Sequence, residues 1–454
     1  MVNNITKPFH LNIQNSPLTK QPSMKKLFII FLFSSVHGFS QQTITLQDAI
    51  NTALKNSLDI QVSKNNIETN AILNNYGVAG GLPLITASAT NNEQVTSLNQ
   101  KYSDPSRNAS RNNAASNNTS ANITGSILLY NGMHVVATKN RLEQLQLQSE
   151  EYLNSQVQNI IASVMTTYYD IVRQQGYSAA LSQTIEVEKQ RLEILKNRQA
   201  VGLANNADIF QAQLDLNASM QALQSQELIV QQAKTDLLTL LTLDPKQNIN
   251  VQDTIIVDNN ILLDSVLNRL STNADISYAN IQIKINELIT KETAAQRYPS
   301  LRLNTGYNFN RTKNAAGFTL LNQGYGPFVG LSLSIPIYNG SAYKKQQQAA
   351  EINIKNAELQ KQILMRDYSS NTVKQYQAYV NALKQLETER TNYALAQQLL
   401  DLVMKRFELR VATIIDVRVA QQSLEDASYR LINLNYAAKA AEIELKRLSN
   451  TLTF

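Results

Sequence analysis

The chain has 454 residues, a net charge of +6, three histidines and no cysteine. The missing thiols exclude disulfides, thiolate zinc sites and cysteine nucleophiles. Four lysines and no acidic residue lie within residues 1–40, so the rest of the chain carries only +2 and gives no support to a nucleic-acid partner. His134 is the one histidine after residue 40, so a Ser/His/Asp triad or a histidine-rich metal site is hard to build. We therefore expect no enzymatic activity, no cofactor and no metal site.

The first 40 residues have the composition of an export signal. Met24 is followed by two lysines and then by the short apolar run of residues 27–36. The Gly-Phe-Ser that follows puts small residues at positions −3 and −1 of a cleavage point before Gln41. We interpret residues 1–40 as an upstream extension and a secretory signal peptide.

The rest of the chain is an internal duplication. The tripeptide Tyr-Asn-Gly begins at Tyr130 and again at Tyr338, an offset of 208 residues. Pro83 and Pro299 are instead 216 residues apart, so the two units differ by eight residues between Pro83 and Tyr130. The offset of 208 returns in three later pairs, which are Arg198 and Arg406, Ala204 and Ala412, and Asp208 and Asp416.

Each unit has the same predicted order of elements. The first unit covers residues 41–244, the second covers residues 261–454, and residues 245–260 link them. Each begins with a helical stretch, over residues 46–79 and 261–297, and continues with a proline and two strands. A long helical region ends each unit.

Long helices dominate the second half of each unit. Glycine and proline are absent from residues 341–454, and only Gly176 and Gly202 interrupt residues 133–243. Apolar residues recur there at spacings of three, four and seven, as packed coiled-coil helices require. A helix over residues 133–199 would be roughly 100 Å long at ~1.5 Å per residue.

The predicted strand pairs alternate apolar and polar residues. Residues 301–310 and 329–337 do so clearly, and residues 85–89 and 123–129 do so more weakly. An apolar and a polar face over ~10 residues are typical of a membrane β-strand between lipid and water. A half-buried soluble sheet would show the same pattern, so the strands alone leave both open. Four strands are too few to close a membrane barrel, so the chain must oligomerise if the sheet lies in a bilayer.

Residues 91–120 are predicted to form a solvated loop between the first two strands. The segment holds eight asparagines and six serines in 30 residues. Such a composition cannot bury a core. On a membrane barrel the loop would face the outside.

The long helical region of the first unit contains one reversal of direction. Gly202 fits the left-handed position after a helix, and Arg198 places a cation near the negative end of that helix. Asn205 can cap the next helix, with Asp208 three residues further on.

The second unit repeats this turn with one change. Arg410 stands where the first unit has a glycine, at a cost of about 1 kcal/mol if the left-handed conformation is kept. Arg406 matches the preceding arginine, and Thr413 and Asp416 can form the cap.

Together these features resemble the TolC family of outer-membrane efflux proteins over nearly all of the chain after residue 40. The resemblance is carried by residues 333–340 (Leu-Ser-Ile-Pro-Ile-Tyr-Asn-Gly), by Pro83 and Pro299 at the strand entries, and by the two turns. It implies an α+β membrane protein, a homotrimer in which four strands per chain complete a 12-stranded transmembrane β-barrel. A long α-helical coiled-coil barrel would extend into the periplasm, with a belt that includes residues 245–260.

The resemblance also implies that the turns form a periplasmic tip, where an adaptor protein docks and brings an inner-membrane pump. By position, the adaptor contacts are Val201, Gly202, Leu203, Ala204, Asn205, Val411, Ala412 and Thr413. The residues with a structural role in the turns are Arg198, Asp208 and Arg406.

Asp416 is the candidate gate residue. In the family, acidic residues of the second turn narrow the closed tip and favour cations, and Asp416 matches the first of these positions. Val419 occupies the second, which departs from the family pattern. Three Asp416 carboxylates on one axis would repel, and some could take up protons or bind cations. Helix capping alone would also explain this aspartate.

The sequence thus predicts an outer-membrane channel subunit of a tripartite efflux pump that exports small molecules and contacts outer-membrane lipid. A duct for type I protein secretion stays open, because the pump chooses most of the cargo. Family frequency favours a proton-driven pump. A periplasmic coiled-coil scaffold or adaptor would share the signal and the helices, but its sheet would be soluble.

Overall fold

The computed structural model describes residues 42–317 and 319–452. The predicted signal peptide lies outside these residues. The described part forms a four-stranded sheet that leads into two long helical hairpins, with short helices and a two-stranded sheet beside them.

The helical hairpins match the duplication residue for residue. Helices α3 and α7 have 67 residues each, and α4 and α8 have 35 residues each. Every end of the second hairpin comes 208 residues after its counterpart. At ~1.5 Å per residue, α3 and α7 are each about 100 Å long. The eight α-helices of the described residues are α1 (Leu46–Asn56), α2 (Leu58–Leu73), α3 (His134–Ala200), α4 (Asn206–Leu240), α5 (Leu263–Arg269), α6 (Ala274–Ala295), α7 (Ala342–Glu408) and α8 (Ile414–Leu448). None of these helices has both the length and the apolar character that crossing a bilayer requires.

The helical stretches predicted at the start of each unit are shorter than expected and broken. Ser57 separates α1 from α2, because its hydroxyl accepts the Ile60 amide and caps the second helix. The helix α2 ends at Leu73, before the predicted end near residue 79. In the second unit a 3₁₀ turn over Leu270–Thr272 separates α5 from α6.

The main sheet is antiparallel, and its two hairpins share one register. Its strands are β2 (Leu84–Gln100), β3 (Ala109–Tyr130), β5 (Ser300–Asn314) and β6 (Leu321–Ser334), in the spatial order β2-β3-β5-β6. Ile85 faces Gly125 in the first hairpin, and Leu301 faces Leu333 in the second. These are equivalent positions of the duplication. The small sheet pairs β1 (Gln42–Thr43) in parallel with β4 (Ile249–Asn250).

The prediction of a loop over residues 91–120 was wrong. Strand β2 runs to Gln100 and β3 begins at Ala109, so only residues 101–108 connect them. The polar side chains bond across the strands, as where Asn117 Nδ2 donates to Asn91 Oδ1 at 2.8 Å. A backbone ladder with polar side-chain pairs needs no buried core, and composition therefore misled the prediction. The strand predicted over residues 329–337 is instead β6, which begins earlier and ends at Ser334.

A buried cluster lies halfway along α3. Tyr168 and Ile161 pack there with Leu237 of α4 and Ile249 of β4. The Tyr168 hydroxyl donates to the Ile44 carbonyl at 3.2 Å. This cluster fixes the start of the described chain and the linker between the units against the middle of the first helical hairpin.

The junction between strand and long helix uses a left-handed glycine in both units. Gly132 has φ +66° and Gly340 has φ +67°, and each is followed by a left-handed residue that precedes the helix. Their surroundings differ. A Cβ on Gly132 would lie 2.6 Å from Tyr298 Cβ and 2.8 Å from the Ala295 carbonyl oxygen, whereas a Cβ on Gly340 would meet nothing within 4 Å.

We expect Gly132→Ala to destabilise the protein by about 3 kcal/mol, because it adds steric overlap to backbone strain. Gly340→Ala is the matched control and should cost only about 1 kcal/mol, since it adds strain alone. Thermal unfolding of the two purified variants measures the difference. Equal melting temperatures would contradict the close packing at Gly132.

Candidate functional site at the helix turns

The two turns that join α3 to α4 and α7 to α8 have one backbone geometry. Gly202 has φ +76° and Arg410 has φ +68°, so the left-handed position predicted for the glycine is confirmed and the arginine keeps it. In each turn the amide after the left-handed residue donates back into the helix. Leu203 N lies 2.8 Å from the Arg198 carbonyl, and Val411 N lies 2.8 Å from the Arg406 carbonyl, which closes the last helical turn.

The predicted helix caps are present in both turns. Asn205 Oδ1 accepts the Asp208 amide at 2.8 Å and caps α4. Thr413 and Asp416 form a full capping box, in which the Thr413 amide and hydroxyl both donate to Asp416 Oδ2 at 2.8 Å. Hydrogen bonds from Thr413 and the nearby Arg406 charge hold the pKa of Asp416 below its usual range. The carboxylate is therefore ionised at neutral pH.

Arg198 joins the two turns within one chain. Its guanidinium donates to the carbonyl of Phe407 in the last turn of α7 and lies 4.2 Å from the centre of the Phe407 ring. We predicted Arg198 to act at the end of its own helix, and the structure extends its reach to the neighbouring helix. Burial, with a smaller contribution from the Arg410 charge, lowers the pKa of Arg198. The guanidinium satisfies a helix-terminal carbonyl and stacks on an aromatic face at once.

The predicted adaptor-contact residues divide into an exposed and a packed group. Val201 is 65% exposed and Val411 is 64% exposed, and Gly202, Leu203, Asn205 and Thr413 are exposed as well. Ala204 and Ala412 are half-buried and pack against the apolar core between the hairpins. Exposed apolar side chains on a capped, rigid turn form a surface that suits contact with another protein.

The remaining predicted residues lie in the same region. Asp208 occupies the first turn of α4, as Asp416 does in α8, and Arg406 is exposed in the last turn of α7. The described residues contain no group of three or more His, Asp or Glu side chains arranged to hold a metal ion.

Sequence reasoning missed two structural partners of the turns. Phe407 is almost fully buried and sits in a regular apolar stripe, so its sequence context indicates packing and nothing more. The buried Arg191 forms an ion pair with Asp215 of α4 at 2.8 Å, behind the turn. No local spacing connects these two residues, which are 24 positions apart on different helices.

We expect Arg198→Lys to loosen both turns, because a lysine keeps the charge but loses the planar stacking on Phe407. Amide hydrogen exchange at residues 201–205 and 409–413 should become about tenfold faster, for a loss of ~1.4 kcal/mol. Lys196→Gln, an exposed change in the same helical turn, is the control and should leave exchange as it was. Unchanged exchange in Arg198→Lys would mean that the contact with Phe407 does not hold the turns together.

Comparison with known proteins identifies the family. A family model described as outer membrane efflux protein matches residues 49–242 and 268–451. The chain is 23% identical over 315 residues to the outer membrane protein TolC of Vibrio cholerae, which covers 65% of this chain and 68% of that protein. It is 22% identical over 296 residues to toxin and drug export protein A of Aggregatibacter actinomycetemcomitans, covering 63% of this chain and 62% of that protein. The chain thus spans about three fifths of the length of this curated relative.

The fold agrees with the family model. The crystal structure of the outer membrane protein VceC from Vibrio cholerae superposes with a TM-score of 0.74 at 17% identity, over 89% of this chain and 96% of that chain. The predicted family, the combination of long helices with a small sheet, and the outer-membrane location are confirmed. The chain belongs to the outer membrane efflux protein family.

Proposed function

We propose that the chain is the outer-membrane channel subunit of a tripartite efflux pump, exporting small molecules that an inner-membrane pump delivers through a periplasmic adaptor. It works as a homotrimer, in which twelve strands close a transmembrane β-barrel and the long helices form a tunnel in the periplasm. One observation carries this proposal. The four-stranded sheet exposes an apolar face, has two open edges, and stands at one end of helices that are about 100 Å long.

The exposed apolar face supports a position in lipid. Ile85 of β2, Ile123 of β3 and Val329 of β6 lie on one face with the alternate residues of β5, and Val329 is 74% exposed. The opposite face carries polar residues, including the bonded pair Asn304 and Ser332. A half-buried soluble sheet, as in a periplasmic scaffold, would cover its apolar face. Here nothing in the described chain covers it, which favours lipid outside and water inside.

Aromatic residues flank this apolar face at both ends. Tyr130, Tyr298 and Tyr338 are exposed where the strands meet the long helices, and Tyr325 is exposed towards the other end of β6. Tyrosine rings place an apolar body in lipid and a hydroxyl in the headgroup region. Their positions therefore match the two surfaces of a bilayer.

The duplication shows how the open edges can close. Within the chain, β3 is the second strand of the first unit and pairs with β5, the first strand of the second unit. The equivalent pairing joins β6 of one copy to β2 of the next, which leaves no open edge in a ring of three. The helices follow the same order, since α4 packs on α3, α3 on α8, and α8 on α7. The outer helices α4 and α7 carry exposed apolar residues for the same junction, namely Phe210, Leu214, Leu228, Leu395, Leu399 and Leu402.

The pairing between copies can be tested with cysteines, because the chain has none. Gly125 faces Thr305 within the chain, and the equivalent positions across the junction are Leu333 and Ala89. We expect Leu333→Cys with Ala89→Cys to be joined between chains by a short bifunctional thiol reagent, giving dimers and trimers on a denaturing gel. Leu333→Cys with Thr90→Cys is the control, since neighbouring strand residues point to opposite faces. Absence of trimers from the first pair would contradict this ring.

The tip of the helical hairpins supports the role of docking site and gate. We propose that the exposed residues of the two turns contact the adaptor. Three Asp416 carboxylates, each held by its capping box, would surround the constriction of the closed channel. Exposed apolar residues such as Val201 and Val411 and the rigid caps are suited to both roles.

A photo-crosslinker on a single cysteine tests the docking role. Ala412→Cys, labelled in intact cells, should capture a periplasmic adaptor protein, and Gly202→Cys should capture the same protein. Leu359→Cys, an exposed position far along α7, is the control and should not. Capture of no adaptor at either turn would overturn the docking role. The pump associated with the captured adaptor would distinguish small-molecule efflux from type I protein secretion, two cargo classes that the name of the Aggregatibacter relative joins.

A further inference from the structure

The tip of the helical hairpins carries a surplus of positive charge. We define the tip as residues 194–212 and 402–420, which are equivalent windows around the two turns. Three acidic residues lie there, Asp208, Glu408 and Asp416. Six basic residues lie there, Lys196, Arg198, Lys405, Arg406, Arg410 and Arg418. The net charge of the tip is therefore +3 per chain, against +2 for all residues after position 40.

The acidic and basic groups of the tip differ in how they are satisfied. Asp416 is occupied by the Thr413 amide and hydroxyl. Lys405, Arg406 and Arg410 are exposed and form no ion pair within the described part of the chain. The acid that could attract cations thus already has hydrogen-bond donors, whereas three cations face solvent without a countercharge.

The cations are also close to one another. Arg198 and Arg410 lie near enough for the charge of the second to lower the pKa of the first. Arg410 holds a left-handed conformation that glycine adopts without strain, and the first unit has Gly202 at that position. Val419 removes the second acidic position of the family pattern. Each of these features moves the tip towards positive potential.

We propose that the tip is an electropositive entrance that selects anions, so that the preferred cargo of the channel consists of organic anions and anionic amphiphiles. This inference rests on the proposed function, since it takes the tip as the entrance of a trimeric channel. Three copies would place a surplus of nine positive charges around one axis. Clefts lined by one sign of charge raise the local concentration of the opposite ion and the rate at which it enters. The single acidic position at Asp416 is outnumbered.

Ion selectivity of the reconstituted protein provides the first test. In a planar bilayer with a KCl gradient, the reversal potential should indicate chloride preference over potassium of about twofold or more. The variant Lys405→Gln/Arg406→Gln/Arg410→Gly, which removes three charges per chain, should lose this preference. Asp416→Ala should strengthen it and weaken any block by multivalent cations. A wild-type channel that prefers potassium would overturn the inference.

The control variant removes the same charge from elsewhere on α7. Lys355→Gln/Lys374→Gln/Lys384→Gln changes three exposed lysines of the same helix. Lys384 is 21 residues from Lys405, or ~30 Å along the helix, which exceeds the screening length of ~8 Å in physiological salt. This variant should keep the chloride preference. An equal loss in both triple variants would mean that the charge of the whole tunnel, and not its tip, sets selectivity.

Thiol labelling measures the potential of the tip without any conduction. On Val411→Cys, an anionic thiosulfonate reagent should react faster than a cationic reagent of similar size, relative to the same ratio on Leu359→Cys. High salt and the Lys405/Arg406/Arg410 triple variant should both reduce this ratio. A ratio equal to that at residue 359 would overturn the inference. A fast anionic reaction in a protein that forms no conducting channel would support the positive tip and count against the proposed function.

Discussion

The rest of the structure depends on the equal length of α3 and α7. Each helix starts directly after a Tyr-Asn-Gly corner at the sheet and ends at a turn, and each has 67 residues. Because both ends are level, the strands pair in one register while Arg198 still reaches Phe407 at the far end. One additional residue in either helix would rotate its end by ~100° and shift it by ~1.5 Å. The duplication therefore serves as a length standard, which neither unit could change alone.

Much of this architecture could be predicted from sequence, because local chemistry specifies it. The repeated tripeptide, the absence of glycine and proline, and the capping residues define where the long helices begin and end. The left-handed position of Gly202 and the capping box of Thr413 follow from properties of the residues themselves. The apolar alternation of residues 301–310 gave the position of β5 to within a few residues.

Other features depend on partners that are distant in the sequence. The asparagine- and serine-rich strands were missed because their stability comes from pairing with each other and not from burial. The contact between Arg198 and Phe407 joins residues 209 positions apart, and nothing near either residue announces it. The conformation of Arg410 was foreseeable as a cost, but its retention depends on the hydrogen bonds that close the α7 turn. In each case tertiary contacts decide between local conformations of similar energy.

The eight residues that distinguish the two units also shape the outer rim. They extend the β2–β3 hairpin by the pairs from Leu98–Arg111 to Gln100–Ala109, beyond the level at which the β5–β6 hairpin turns back. At ~3.3 Å per residue this adds about 10 Å to every first hairpin. In a ring of three copies, three tall prongs rich in asparagine and serine would alternate with three low ones. A phage, an antibody or a carbohydrate arriving from outside would thus meet a crown of threefold outline, although the wall beneath it repeats six times.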